Sequence, residues 1–100
     1  MVAYEITAVV APELAAAFEA YIRNRHIPDL LATGCFERAT FATSGLGRYR
    51  ARYEAPDRAA LDRYLAEHAP RLRADVAAHF PKGLELSREV WDEVGTVVGF

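Results

Sequence analysis

Between Arg48 and Glu54 the chain alternates without exception, Tyr49, Ala51 and Tyr53 standing between Arg48, Arg50, Arg52 and Glu54. Successive side chains of a strand point to opposite faces, so this segment reads as a strand with one buried and one wet side. Such a sheet must be covered on its apolar side, and the rest of the chain supplies the cover. Val2 to Val10 suits a strand with Val2, Tyr4, Ile6, Ala8 and Val10 on one face and Ala3, Glu5, Thr7 and Val9 on the other. Phe36 to Thr43 reads as another, joined to the Arg48–Glu54 strand through a turn at Ser44–Gly47. Leu84 to Val94 follows the turn Pro81-Lys82-Gly83 as the last strand.

Two helical patterns lie between these strands. Pro12 suits a first turn, and Leu14, Phe18, Tyr21 and Ile22 recur at helical spacing in a helix expected to end near Arg25. Pro28 disfavours helical geometry at Ile27, so Asp29 to Ala32 is expected as a short separate turn, closed by Gly34. Ala55-Pro56-Asp57 opens the second helix, with Asp57 as its cap or first-turn acid and Leu61, Leu65, Leu72, Val76 and Phe80 as its apolar stripe. Pro70 is expected to kink or divide it. The order βαββαβ points to a single domain over residues 1–100, a ferredoxin-like α+β sandwich. Its four-stranded antiparallel sheet would carry both helices on one face, with strands one and three at its centre. Tyr4, Ile6, Ala8, Tyr49, Ala51 and Tyr53 would then face the helices, and Glu5, Thr7, Val9, Arg50 and Arg52 the other side. In a dimeric α+β barrel two such open faces close on each other and line a cavity.

Composition narrows the function classes. A hydrophobic fraction of 52% is high for 100 residues and suggests apolar surface covered by a second copy. A net charge of -2 argues against nucleic-acid and anionic-membrane surfaces, which need a concentrated excess of Lys and Arg. The single cysteine, Cys35, permits neither an intrachain disulfide nor a thiolate zinc site and is read as a small buried residue. The three histidines show no HxxxH or HxH spacing, so no metal is expected. No leader pattern and no membrane-length apolar run appear, and a cytoplasmic protein is expected. No phosphate loop or nucleophile elbow is present, and no cofactor is expected.

Three segments carry a family likeness: HIPDLLATGCF from His26 to Phe36, GRYRARY from Gly47 to Tyr53, and LDRYLAEHAPRLRADVAAHF from Leu61 to Phe80. In order and spacing they resemble the bacterial domain-of-unknown-function family 4286. The resemblance implies a ferredoxin-like, dimeric α/β-barrel type of fold and implies no activity. The chain departs from the family pattern at Arg50 and Arg52, where small or uncharged polar residues are usual, and in a tail, Gly95 to Phe100, beyond the usual end.

Candidate site residues fall into two groups. His26 has a side chain that titrates near neutrality and, with Asp29 to orient it, could act as general acid or base at a cavity rim. Its competing role is to cap the first helix. Tyr53 joins these two as a catalytic candidate, although all five tyrosines sit at periodic core positions. Arg50 and Arg52 could hold a carboxylate or phosphate, with Glu5, Thr7 and Trp91 beside them; a cross-strand ion pair with Glu5 is the competing role, and Glu37 could absorb the remaining charge. Arg63, Glu67, Arg71 and Asp75, four apart and alternating in sign, read as a solvated helix face.

The first functional expectation is a homodimer binding a small anionic or aromatic molecule between its sheets. The second is a cofactor-independent enzyme, monooxygenase- or cyclase-like, using His26, Asp29 and Tyr53 on an aromatic substrate. The third is a regulatory or interaction module without a cavity.

Overall fold

The computed structural model describes Met1–Gly99. Strands β1 (Val2–Val10), β2 (Arg38–Gly45), β3 (Arg48–Ala55) and β4 (Leu84–Asp92) form one antiparallel sheet in the order β2-β3-β1-β4. This is the expected ferredoxin-like α+β arrangement, with β1 and β3 at the centre. Register settles the two faces. Tyr4 pairs with Tyr53, Ile6 with Ala51 and Ala8 with Tyr49, while Glu5 pairs with Arg52 and Thr7 with Arg50. The first set is buried or half-buried beneath the helices, and the second lies on the open face.

The helical layer departs from the expected pattern at its most distinctive segment. After a 3-10 turn at Pro12–Leu14, α1 (Ala15–Tyr21) runs into a π-turn over Ile22–His26 and then directly into α2 (Ile27–Ala32). The helix therefore neither ends near Arg25 nor leaves Asp29–Ala32 as a separate turn, and His26 makes no side-chain cap. Pro28 has no N–H, and in an α-helix its ring would crowd the carbonyl four residues back. The wider turn before it, in which Ile27 N donates to Ile22 O, relieves that crowding and lets the helix continue. Gly34, at φ 76°, then ends it as expected.

The second helical region is divided rather than kinked, into α3 (Arg58–Glu67) and α4 (Ala69–His79), with Pro70 in the first turn of α4. The Asp57 side chain caps α3 by accepting from Ala60 N at 2.9 Å. Arg63, Glu67 and Arg71 are exposed, as the solvated face requires, but no ion pair joins the series among the described residues. Asp75 instead accepts from Arg25 at 3.0 Å and from the Tyr21 hydroxyl, which ties α4 to the first helical region. The β2–β3 hairpin is pinned to β1 where Val10 N donates to Gly47 O at 2.8 Å. A Cβ on Gly47, at φ 73°, would stand 2.5 Å from Val10 O, so only glycine fits there. No helix among the described residues is long and apolar enough to cross a membrane.

Candidate functional site

Side-chain size decides where the interior is empty. Tyrosines crowd the helix-facing side of the sheet at Tyr4, Tyr49 and Tyr53, but between them stand Ile6 and the small side chains of Ala8 and Ala51. Opposite them the helices bring Phe18, Ile22, Tyr64 and Val76, which do not fill the gap. A cavity of about 60 Å³ remains between the layers, room for about four waters at the volume one water needs. It is bordered by His26 and Arg73 from the helices and by Phe41, Leu86 and Arg88 from the outer strands.

Two polar groups bordering this cavity are without partners. Nδ1 of His26 and the hydroxyl of Tyr53 are buried and make no hydrogen bond, while their residues are only 8% and 0% exposed. An unsatisfied buried polar atom costs about 1–3 kcal/mol, and these two leave hydrogen-bonding capacity on one cavity that the protein's own groups do not use. Burial drives the His26 pKa down to about 4, with Arg88 acting in the same direction and Asp29 and Asp75 opposing. The imidazole is therefore uncharged at neutral pH. Burial likewise pushes the Tyr53 and Tyr64 hydroxyls well above the usual tyrosine value, and both stay protonated.

The charged side of the cavity comes from residues outside the expected set. Arg73 Nη2 donates to the Tyr4 hydroxyl at 3.0 Å. Arg73 and Arg88 both bear electrostatically on Tyr64, and Arg88 also on His26. Neither forms an ion pair among the described residues. Arg88 had a detectable signal: in β4 it stands on the same face as Leu84, Leu86 and Val90, a charge inside an apolar series. Arg73 had none, because its partner Tyr4 lies 69 residues away.

The expected site residues are thus split between two faces. His26 and Tyr53 come together on the inner cavity, while Asp29 is exposed on α2 and reaches His26 only through its charge. Glu5, Thr7, Arg50, Arg52 and Trp91 all stand on the open face. Arg52 is held there by carboxylates: Glu54 at 3.0 Å, Glu5 at 3.5 Å and Glu93 at 3.6 Å. Glu54 and Glu93, rather than Glu37, supply the compensating charge, and Arg38 pairs with Glu54 at 2.7 Å. Thr7 and Arg50 border a shallow open depression with Arg48, Thr43 and Ser44. It holds no buried unpartnered atom, in contrast to the inner cavity. Among the described residues no group of three or more His, Cys, Asp or Glu could hold a metal ion.

A family model described as "Domain of unknown function (DUF4286)" matches residues 1–94. The chain belongs to the DUF4286 family. The DUF4286 match ends just before Gly95, so the tail Gly95–Phe100 lies beyond it, and Phe100 is outside the described residues. No curated protein matches the sequence. Among solved structures, a variant of SnoaB, a cofactor-independent oxygenase from Streptomyces nogalater, superposes with a TM-score of 0.73 at 16% identity, covering 96% of each chain. A crystal structure described as an antibiotic biosynthesis monooxygenase gives a TM-score of 0.67 at 22% identity, covering 95% of this chain and 100% of that one. An ethyl tert-butyl ether d (ethd) family protein from Bacillus halodurans gives 0.67 at 18%, covering 94% and 100%. At these identities the likeness is one of fold.

Proposed function

We propose that this DUF4286 protein binds a small anion, of the size of a short carboxylate, in the cavity between its own sheet and helices. The observation that carries this reading is the pair of buried, unpartnered polar groups, on His26 and Tyr53, at one aromatic-walled cavity. Tyr4, Phe41, Tyr49 and Tyr64 wall it with apolar surface that excludes water around the anion. Arg73 and Arg88, both bordering the cavity and free of carboxylates among the described residues, suit an acidic group. The acid-binding role expected of Arg50 and Arg52 is better served here, because Arg52 is already neutralised by three glutamates.

Acetate is the simplest probe. Calorimetric titration should give saturable binding that Arg73→Met with Arg88→Met weakens by about 10- to 100-fold, the loss expected for charge-assisted hydrogen bonds. Arg50→Met should leave it unchanged. Absence of binding, or binding indifferent to the double substitution, would sink the reading.

The open face fits a second copy of the chain. Glu5 and Glu89 are direct cross-strand neighbours of like charge, while Arg50 has no acid of its own among the described residues. A two-fold partner would cover Trp91, which is 53% exposed on this face, and set the partner's acids within reach of Arg50. Sedimentation equilibrium should therefore give twice the 11.1 kDa chain mass, falling to monomer with Arg50→Glu. A monomer from both proteins would refute the pairing.

A second reading, the cofactor-independent oxygenase, is favoured by the uncharged His26 on the cavity. An uncharged imidazole there can accept a hydrogen bond from a bound hydroxyl and orient it. This reading differs from simple binding in requiring dioxygen for turnover.

A further inference from the structure

Two guanidiniums suffice for a carboxylate, which leaves two neutral groups on the same cavity without a role. Nδ1 of His26 and the Tyr53 hydroxyl are buried, border that cavity and have no hydrogen-bond partner. Each stands near one of the cations. Arg88 bears directly on His26. The Tyr53 ring packs on Tyr4, with 6.3 Å between centroids, and the Tyr4 hydroxyl accepts from Arg73 at 3.0 Å. A carboxylate only accepts hydrogen bonds, so it serves the imidazole nitrogen only in the tautomer that carries hydrogen there. A hydroxyl donates and accepts, and can therefore satisfy Nδ1 in either tautomer and the phenol in either role. We infer that the anion is a two-carbon 2-hydroxycarboxylate, its carboxylate toward Arg73 and Arg88 and its hydroxyl toward His26 Nδ1 and the Tyr53 hydroxyl. This inference rests on the small-anion reading of the same cavity.

Size restricts the ligand as firmly as chemistry does. The cavity has room for about four waters, and glycolate exceeds acetate by a single oxygen. A phenyl ring on the same carbon would have to displace Phe18, Tyr64 or Val76, all buried and bordering the cavity. His26 is uncharged at neutral pH, so it adds no attraction for charge and discriminates by hydrogen bonding alone. An acid without the hydroxyl leaves at least one of these buried groups unpaired, and that is how such a site rejects it.

Glycolate and acetate are the probes, each titrated calorimetrically into the full chain near neutral pH. Glycolate should bind about 10-fold or more tightly than acetate, the difference expected when buried polar groups gain partners. Tyr53→Phe removes one oxygen and keeps the ring that packs on Tyr4 and Phe36, so its circular dichroism spectrum should be unchanged. In that protein the preference for glycolate should shrink to less than about threefold, and His26→Leu should narrow it likewise. Mandelate, which carries a phenyl ring on the same carbon, should not displace glycolate. Equal binding of glycolate and acetate overturns the inference and leaves the small-anion reading standing. So does a preference that survives either substitution in a folded protein. Failure of both acids to bind, or displacement of glycolate by mandelate, overturns both readings.

Discussion

Leu30→Ala is expected to destabilise the fold by about 3 kcal/mol, within the range of about 2–5 kcal/mol for truncating a fully buried leucine. Leu30 is 0% exposed, in a core cluster with Cys35, Phe36, Tyr53 and Leu61, and is the one buried residue of the six-residue α2. A helix this short has no independent stability, so its place depends on that anchor. Urea denaturation measures the cost. Leu31→Ala, at a half-buried neighbouring position, is the control and should cost clearly less. A loss below about 1 kcal/mol for Leu30→Ala would mean that α2 is held by something other than this contact.

Stability should also fall as the solution is acidified from neutrality toward pH 4. Folded His26 takes up its proton only near pH 4, whereas in the unfolded chain it does so near the ordinary 6.5. Between those values the unfolded state binds more protons, so lowering the pH favours unfolding. The contribution of neutral His26 is fully present above the unfolded value and fully lost below the folded one. The difference corresponds to about 3 kcal/mol, or a slope of up to about 1.4 kcal/mol per pH unit. Urea midpoints between pH 4 and 7 test this, and His26→Gln should flatten the curve in that window. An unchanged slope in His26→Gln would assign the acid sensitivity to other groups.

The sheet was legible because its information is local. Tyr49, Ala51 and Tyr53 alternate with charged neighbours, and pairing β3 with β1 carries that alternation onto Tyr4, Ile6 and Ala8. The site was legible only in part. His26 and Tyr53 stood out by residue type, but the cavity between them is a matter of missing bulk at Ala8 and Ala51, set against helices whose approach depends on long-range packing. Arg52 looked like a free cation because Glu54 lies two residues on in its own strand and Glu93 beyond the end of β4. The break expected at Pro28 failed for a similar reason: the local rule describes an α-helix, and the backbone ahead of the proline is not one.

The π-turn has a consequence for how the site is encoded. Phe18, Ile22, His26 and Leu30 are all buried and spaced by four. In a helix of 3.6 residues per turn each such step overshoots by about 40°, so the series would wind away from the sheet. A wider turn at Ile22–His26 takes up that excess and keeps the series in phase over one surface. The position of the imidazole is thus written in the length of the segment rather than in any residue's identity. Removing one residue there would leave every named side chain in the protein and turn His26 away from the cavity.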